Sequence, residues 1–209
     1  MKLYDFKMAP NPRRVRMFAA EKGIDLEIIE VNLGAKEQMA DDFKAINPRL
    51  AVPALELDDG TVITECIAIC RYLDEVQPEP VLFGTGPLGR ATVEMWHRRC
   101  ELEGLQAVAE GVRNSVEFFA GRAIAGPVDF PQIPELAERG KARVELFAAM
   151  LEERLGESEY IAGDDFTVAD IAALIAFDFA KVLKIRVTDE TPNLKRWYDA
   201  VSARPSAAA

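Results

Sequence analysis

Glu65 and Cys66 stand where a short apolar strand, Val62-Ile63, gives way to an apolar helical pattern at Ile67, Ile69, Cys70 and Leu73. The opening of a helix leaves N–H groups without intrahelical acceptors, and its dipole favours an anion there. Upstream, Ala51-Val52-Pro53-Ala54-Leu55 reads as a strand entered through proline, where the missing N–H need not pair with a neighbour. A cis Val52-Pro53 bond, a form taken by about 5% of such bonds, would turn the Val52 N–H and C=O outward to pair with an extended peptide. Together the two stretches would hold a small peptide with a carboxylate at one end.

A third chemical position is Asn11. Asn11-Pro12 follows the first strand and reads as an N-cap with proline as the first helical residue. Capping uses the side-chain oxygen and leaves the amide NH₂ as a donor, so the two roles of Asn11 coexist. Arg49 and Lys36 are cations close in sequence to the Pro53 stretch, and each taken alone reads as a solvated surface charge before it reads as a ligand contact. Cys66 reads either as a contact to the ligand or as an oxidisable thiol whose pKa is lowered by the helix start. Cys70 and Cys100 read as small buried hydrophobes and His97, beside Trp96, as a core residue. No His, Cys or carboxylate spacing suits a metal.

The elements that must position these residues follow from pattern. Lys2-Leu3-Tyr4-Asp5-Phe6 alternates as a first strand, and a helix runs from Arg13 to about Lys22, stopping at Gly23. Residues 26–31 read as a second strand and 36–45 as a short helix. A hairpin turning at Asp59-Gly60 precedes the helix at Glu65, giving β-α-β-α-β-β-α. The right-handed crossover rule makes the first two strands parallel neighbours. The breakers between Gln77 and Pro87 then mark a boundary: residues 1–80 form one domain, 81–87 a linker and 88–209 an all-helical domain. In that second part Leu88 to about Ala120 reads as one long helix bending at Gly104 or Gly111, and residues 121–134 as a loop. Residues 135–155 read as another long helix. Thr167-Val168-Ala169-Asp170 reads as a capping box before an apolar helix, and Thr191-Pro192 as the cap of the last one.

The 209 residues carry a formal charge of −10, with 10 Lys and Arg against 15 Asp and Glu in residues 1–80 and 15 against 20 in the rest. Both parts are equally acidic, which argues against nucleic acid as a partner. No apolar run approaches the roughly 18 residues of a membrane span. The chain starts in a strand pattern without an apolar leader, and three cysteines without paired spacing fit the reducing cytoplasm.

Val52-Pro53-Ala54-Leu55, followed by Thr64-Glu65-Cys66-Ile67-Ala68-Ile69 and Arg71-Tyr72-Leu73, resembles the glutathione-binding half of the glutathione transferases. Gly163 to Asp170 resembles the capping segment of that family's helical half, so the likeness spans the chain. The resemblance implies a thioredoxin-like α/β domain followed by an all-α domain, a cytoplasmic homodimer and glutathione as substrate, with no metal. It implies a cis proline at Pro53. It also implies that Glu65 and Cys66 hold the γ-glutamyl end, and that Arg49 or Lys36 faces the glycine carboxylate, because Ala51 stands where many members carry lysine. Such an enzyme conjugates glutathione to an electrophile or uses it to reduce a peroxide or disulfide. Ala9 occupies the position usually taken by serine or cysteine, which resembles the atypical fungal and bacterial branch. There the first helix and a water held by the helical domain stabilise the thiolate. Asn11 becomes the catalytic candidate, Asn114 and Ser115 the candidates for that water, and Phe118 and Phe119 the candidates to line the second-substrate pocket. Ala9 also keeps open a ligand-binding protein of the same fold without turnover.

Overall fold

A computed structural model describes all 209 residues. They divide into two units: Met1–Pro80 with Ile124–Asp129 and Ala209, and Val81–Ala123 with Phe130–Ala208.

In the first unit the elements are β1 (Lys2–Asp5), α1 (Pro10–Glu21), β2 (Glu27–Glu30), α2 (Asp41–Ile46), β3 (Ala54–Glu56), β4 (Val62–Thr64) and α3 (Cys66–Val76). The sheet order is β2-β1-β3-β4, with β1 parallel to β2 and antiparallel to β3. The parallel pairing is the one the crossover rule demands. The expected helix over 36–45 is broken: a 3₁₀ turn at Glu37–Met39 ends at Ala40, whose extended backbone precedes α2. Leu3, Val15, Phe18, Leu55, Ile69 and Leu73 are fully buried between the sheet and its helices. Lys22, at the end of α1, is buried as well. Its ammonium reaches Asp74 at 2.5 Å and the carbonyls of Pro78 and Pro80 at 2.9 and 2.5 Å. A buried ammonium is tolerated when it is paired with a carboxylate and hydrogen-bonded, here to two carbonyls.

The second unit holds α4 (Gly86–Arg99), α5 (Gln106–Arg113), α6 (Pro134–Leu155), α7 (Val168–Ala180) and α8 (Pro192–Ser202). Gly86 and Pro87 are already helical, and Leu82 and Phe83 are buried, so residues 81–87 are packed chain rather than a free linker. The single helix expected over 88–120 is three pieces. A π-helical stretch at Cys100–Leu105 joins α4 to α5, and α5 ends at Arg113. The wider turn falls where Phe147 of α6 presses in: a Cβ at Gly104 would lie 2.7 Å from the Phe147 ring.

The opening of α7 is a complete capping box. Thr167 Oγ1 accepts from Ala169 N–H, and Asp170 accepts from Thr167 N–H at 2.9 Å. Asp170, fully buried, also accepts from Ile161 N–H at 3.0 Å, Trp197 Nε1 at 2.8 Å and Thr167 Oγ1 at 3.1 Å. Burial pushes its carboxyl above the ordinary range while these donors pull it back. Thr191 precedes α8 but does not cap it; its hydroxyl donates to Thr188 C=O. Glu152 of α6 caps instead, accepting from the N–H groups of Asn193 and Leu194 at 3.2 and 2.8 Å.

Candidate functional site

Sheet register assembles the site in the first unit. Tyr4 pairs with Ala54 and Ala54 with Thr64, so the end of β1, the start of β3 and the end of β4 form one row. The residues just past that row emerge at the same edge: the loop after Asp5, the Val52-Pro53 pair, and Glu65-Cys66.

The Val52-Pro53 bond is cis, as the resemblance implies; Glu79-Pro80 is a second cis bond that the sequence reading did not anticipate. Val52 packs with Val31 and Phe43, and Ala9 and Phe6 lie against the same cluster. Ala9 therefore serves as a small apolar contact. Asn47 shapes the approach to Pro53: its Nδ2 donates to Ala51 C=O at 2.7 Å and its Oδ1 accepts from Arg49 N–H at 3.0 Å. Sequence reasoning missed Asn47, although asparagine commonly bonds its own backbone two residues on.

Glu65 is the N-cap of α3 with φ 68° and ψ 124°, a conformation rare for any residue but glycine. Such strain persists where the surroundings impose it, and it clusters at ligand sites. Its side chain is exposed. The first intrahelical bond of α3 runs from Ile69 N–H to Glu65 C=O at 3.0 Å, so the N–H groups of Ile67 and Ala68 open outward. Cys66 is 6% exposed, and its thiol donates to the backbone C=O of Asn11 at 3.3 Å. The structure thus joins two candidate residues from separate stretches.

Asn11 departs from expectation. The helix begins two residues earlier, at Pro10 rather than Pro12, so Ala9 is the N-cap and Asn11 sits in the first turn. A proline already in helical φ at the first position moves the start back. Asn11 caps nothing, and its side chain is exposed. Pro10 and Pro12 have no N–H, Ala9 N–H bonds to Phe6 C=O at 2.8 Å, and Arg13 N–H makes a long 3.5 Å bond to Ala9 C=O. Asn11 N–H is then the one open backbone donor of this helix start, and the side-chain amide lies beside it.

Tyr4 is already engaged within the sheet. Its hydroxyl donates to Glu56 at 2.6 Å, and that bond with burial pushes the phenol up to about 12. Asp5 is buried and paired with Arg16; burial raises its carboxyl and the guanidinium lowers it. The side chains of Arg49 and Lys36 are exposed and held by no ion pair; Arg49 is tied in only through its backbone N–H to Asn47. In the second unit, Asn114 donates to Glu110 C=O and accepts from Ile133 N–H, both at 2.9 Å, while Ser115 donates to Gly111 C=O at 2.7 Å. Both are engaged in holding the loop after α5. Phe118 is exposed and stands edge-on to Phe119, over which Arg113 lies at 4.5 Å. No group of three His, Cys, Asp or Glu side chains is arranged to hold a metal.

Residues 9–76 match the description "Glutathione S-transferase, N-terminal domain" and residues 112–205 "Glutathione S-transferase, C-terminal domain". Among curated relatives, Glutathione S-transferase 2 of Saccharomyces cerevisiae is 38% identical over 213 residues, covering 99% of this chain and 87% of its own. The solved structure of Gtt2 from Saccharomyces cerevisiae superposes with a TM-score of 0.90 at 33% identity, over 100% of this chain and 99% of that one. A class Gtt2 glutathione S-transferase of Vibrio parahaemolyticus gives 0.83 at 40% identity, over 99% and 94%. With its thioredoxin-like four-stranded domain, its helical second half and matches along its whole length, the chain belongs to the glutathione S-transferase family.

Proposed function

We propose that this chain binds glutathione along the edge of its sheet and activates the sulfur without a side-chain hydroxyl or thiol. In this reading Val52, ahead of Pro53, pairs with the peptide backbone of glutathione. Glu65 accepts from the γ-glutamyl ammonium, and the opening turn of α3, Cys66 included, receives the adjacent carboxylate. Arg49 or Lys36 faces the glycine carboxylate. The sulfur lies at the start of α1, where Asn11 N–H, its side-chain amide and the helix dipole favour the thiolate. The observation that carries the reading is the row Tyr4, Ala54, Thr64, which delivers all three stretches to one edge.

The thiolate then attacks an electrophilic carbon, forming a C–S bond as the leaving group departs with its electrons. With a peroxide it breaks the O–O bond, giving an alcohol and a sulfenic acid, which a second glutathione converts to disulfide and water. Ala9 at the usual serine or cysteine position supports the atypical branch. The two parts, 1–80 and 88–209, act as glutathione-binding and helical domains of a cytoplasmic homodimer. Leu88 and Met95, 81% and 44% exposed at i, i+7 on α4, supply an apolar face for self-association.

Calorimetric binding of glutathione, followed by turnover on a panel of electrophiles and peroxides, tests the reading. Absence of binding sinks it. Binding without turnover leaves the second reading, a glutathione-binding protein of the same fold, which Ala9 keeps open.

A further inference from the structure

We infer that Cys66 is a positioning residue for the sulfur-activating end of the site, acting through its thiol on Asn11; this rests on the functional reading above. The opening turn of α1 is poorly held by its own bonds. Two of its first three residues are prolines, its N-cap Ala9 has no capping side chain, and its first backbone bond is stretched to 3.5 Å. The Cys66 thiol reaches across from α3 and donates to Asn11 C=O at 3.3 Å, an ordinary length for a sulfur donor. That bond fixes the Asn11–Pro12 peptide plane and with it the residue whose N–H and side-chain amide are open. The backbone of Cys66 meanwhile belongs to the α3 turn that receives the carboxylate of glutathione. One residue thus links the anchoring end to the activating end, and the substrate's grip on α3 is transmitted to the donors around its sulfur.

The thiol is suited to this span. Serine carries its oxygen on a shorter bond but is a stronger donor, so Cys66→Ser retains the link. Cys66→Val keeps the bulk of the side chain and removes the donor. The experiment compares wild type, Cys66→Val and Cys66→Ser in three measurements. These are hydrogen exchange of the peptide spanning residues 7–18 without ligand, ultraviolet titration of the bound thiol, and kcat and KM for glutathione. Loss of a bond of this strength corresponds to roughly a two- to fivefold change. Cys66→Val is expected to speed exchange in that peptide. It should reduce the thiolate fraction and kcat by about two- to fivefold while KM for glutathione stays within about twofold, and Cys66→Ser should restore all three. A purely packing role would lower the melting temperature and leave the thiol titration in place. The inference is overturned if Cys66→Val titrates and exchanges like wild type, or if Cys66→Ser is no better than Cys66→Val. If wild type itself does not bind glutathione, the functional reading falls and this role falls with it. If wild type binds and Asn11 substitutions shift the thiol while Cys66 substitutions do not, only the positioning role is lost.

Discussion

At the start of α7, Thr167 and Asp170 close the turn, and Asp170 gathers two backbone N–H groups, a hydroxyl and an indole N–H in a fully buried setting. At the start of α1 two prolines delete donors, alanine caps nothing, and Asn11 keeps its N–H and its side chain facing outward. Both are helix openings with the same dipole. One directs its polar groups into the chain; the other leaves them facing outward, where the proposed function puts a second molecule. A helix terminus that holds a fold and one that serves a ligand differ in where their hydrogen bonds end, and that difference can be tested residue by residue.

The largest expected effect is at the closed terminus. Asp170→Ala strands buried donors and removes part of the cap, so stability should fall by about 3–5 kcal/mol, read as the urea midpoint by circular dichroism. A shift below about 1 kcal/mol, the scale of an isolated cap, would show that the network does not act as one unit. Next, Glu65→Ala should weaken glutathione binding by about 1.5–3 kcal/mol, the range for a charge-assisted bond, while the urea midpoint stays near wild type. Unchanged affinity in the calorimeter removes Glu65 from the ligand.

A smaller effect separates the two kinds of terminus directly. Because Asn11 caps nothing, Asn11→Ala should change stability by no more than about 0.5 kcal/mol. It should raise the pKa of the bound thiol by up to about one unit, since a neutral donor contributes about 1 kcal/mol and 1.36 kcal/mol is one unit. Asn11→Asp sharpens this: an acid in the first turn suits the dipole and opposes the thiolate. Loss of stability in Asn11→Ala without a shift in thiol titration would make α1 another structural terminus.

The smallest effect at neutral pH concerns Tyr4. Its phenol is raised to about 12, chiefly by the bond to Glu56 and by burial. The stability this contributes is present below the ordinary tyrosine value near 10 and is lost as pH rises through about 12. Tyr198 is raised too, by burial and its bond to Asp178, so spectrophotometric titration should find late phenols of which Tyr4→Phe removes one, with the thiol titration untouched.

The parts of this molecule written in local pattern were readable from the chain. The capping box and the proline-entered strand depend on residues within a few positions of one another, and the parallel pairing follows from the β-α-β order through the crossover rule. The site was readable in its stretches but not in its joins. Nothing near Cys66 in sequence announces Asn11, 55 residues away, as the acceptor of its thiol. Glu152 capping α8 from 41 residues upstream is hidden for the same reason. The π-helical stretch at Cys100–Leu105 coincides with the close packing of Phe147 on Gly104, a long-range contact no helical periodicity records. Asn11 was misread because two prolines flank it and both suit a helix start; the earlier one set the boundary.

Ala9 has a consequence for anyone who would improve this protein. A serine there looks like a simple gift of the missing hydroxyl, but the residue is also a helix cap with extended backbone, φ −82° and ψ 135°. A capping hydroxyl seeks the N–H of the second or third helical residue, and the third is Pro12. The new oxygen would have a single backbone partner within reach, Asn11 N–H, the same group a bound sulfur would use. In the proposed reading, engineering at position 9 sets protein against substrate as rivals for one proton, and alanine leaves that proton to the substrate.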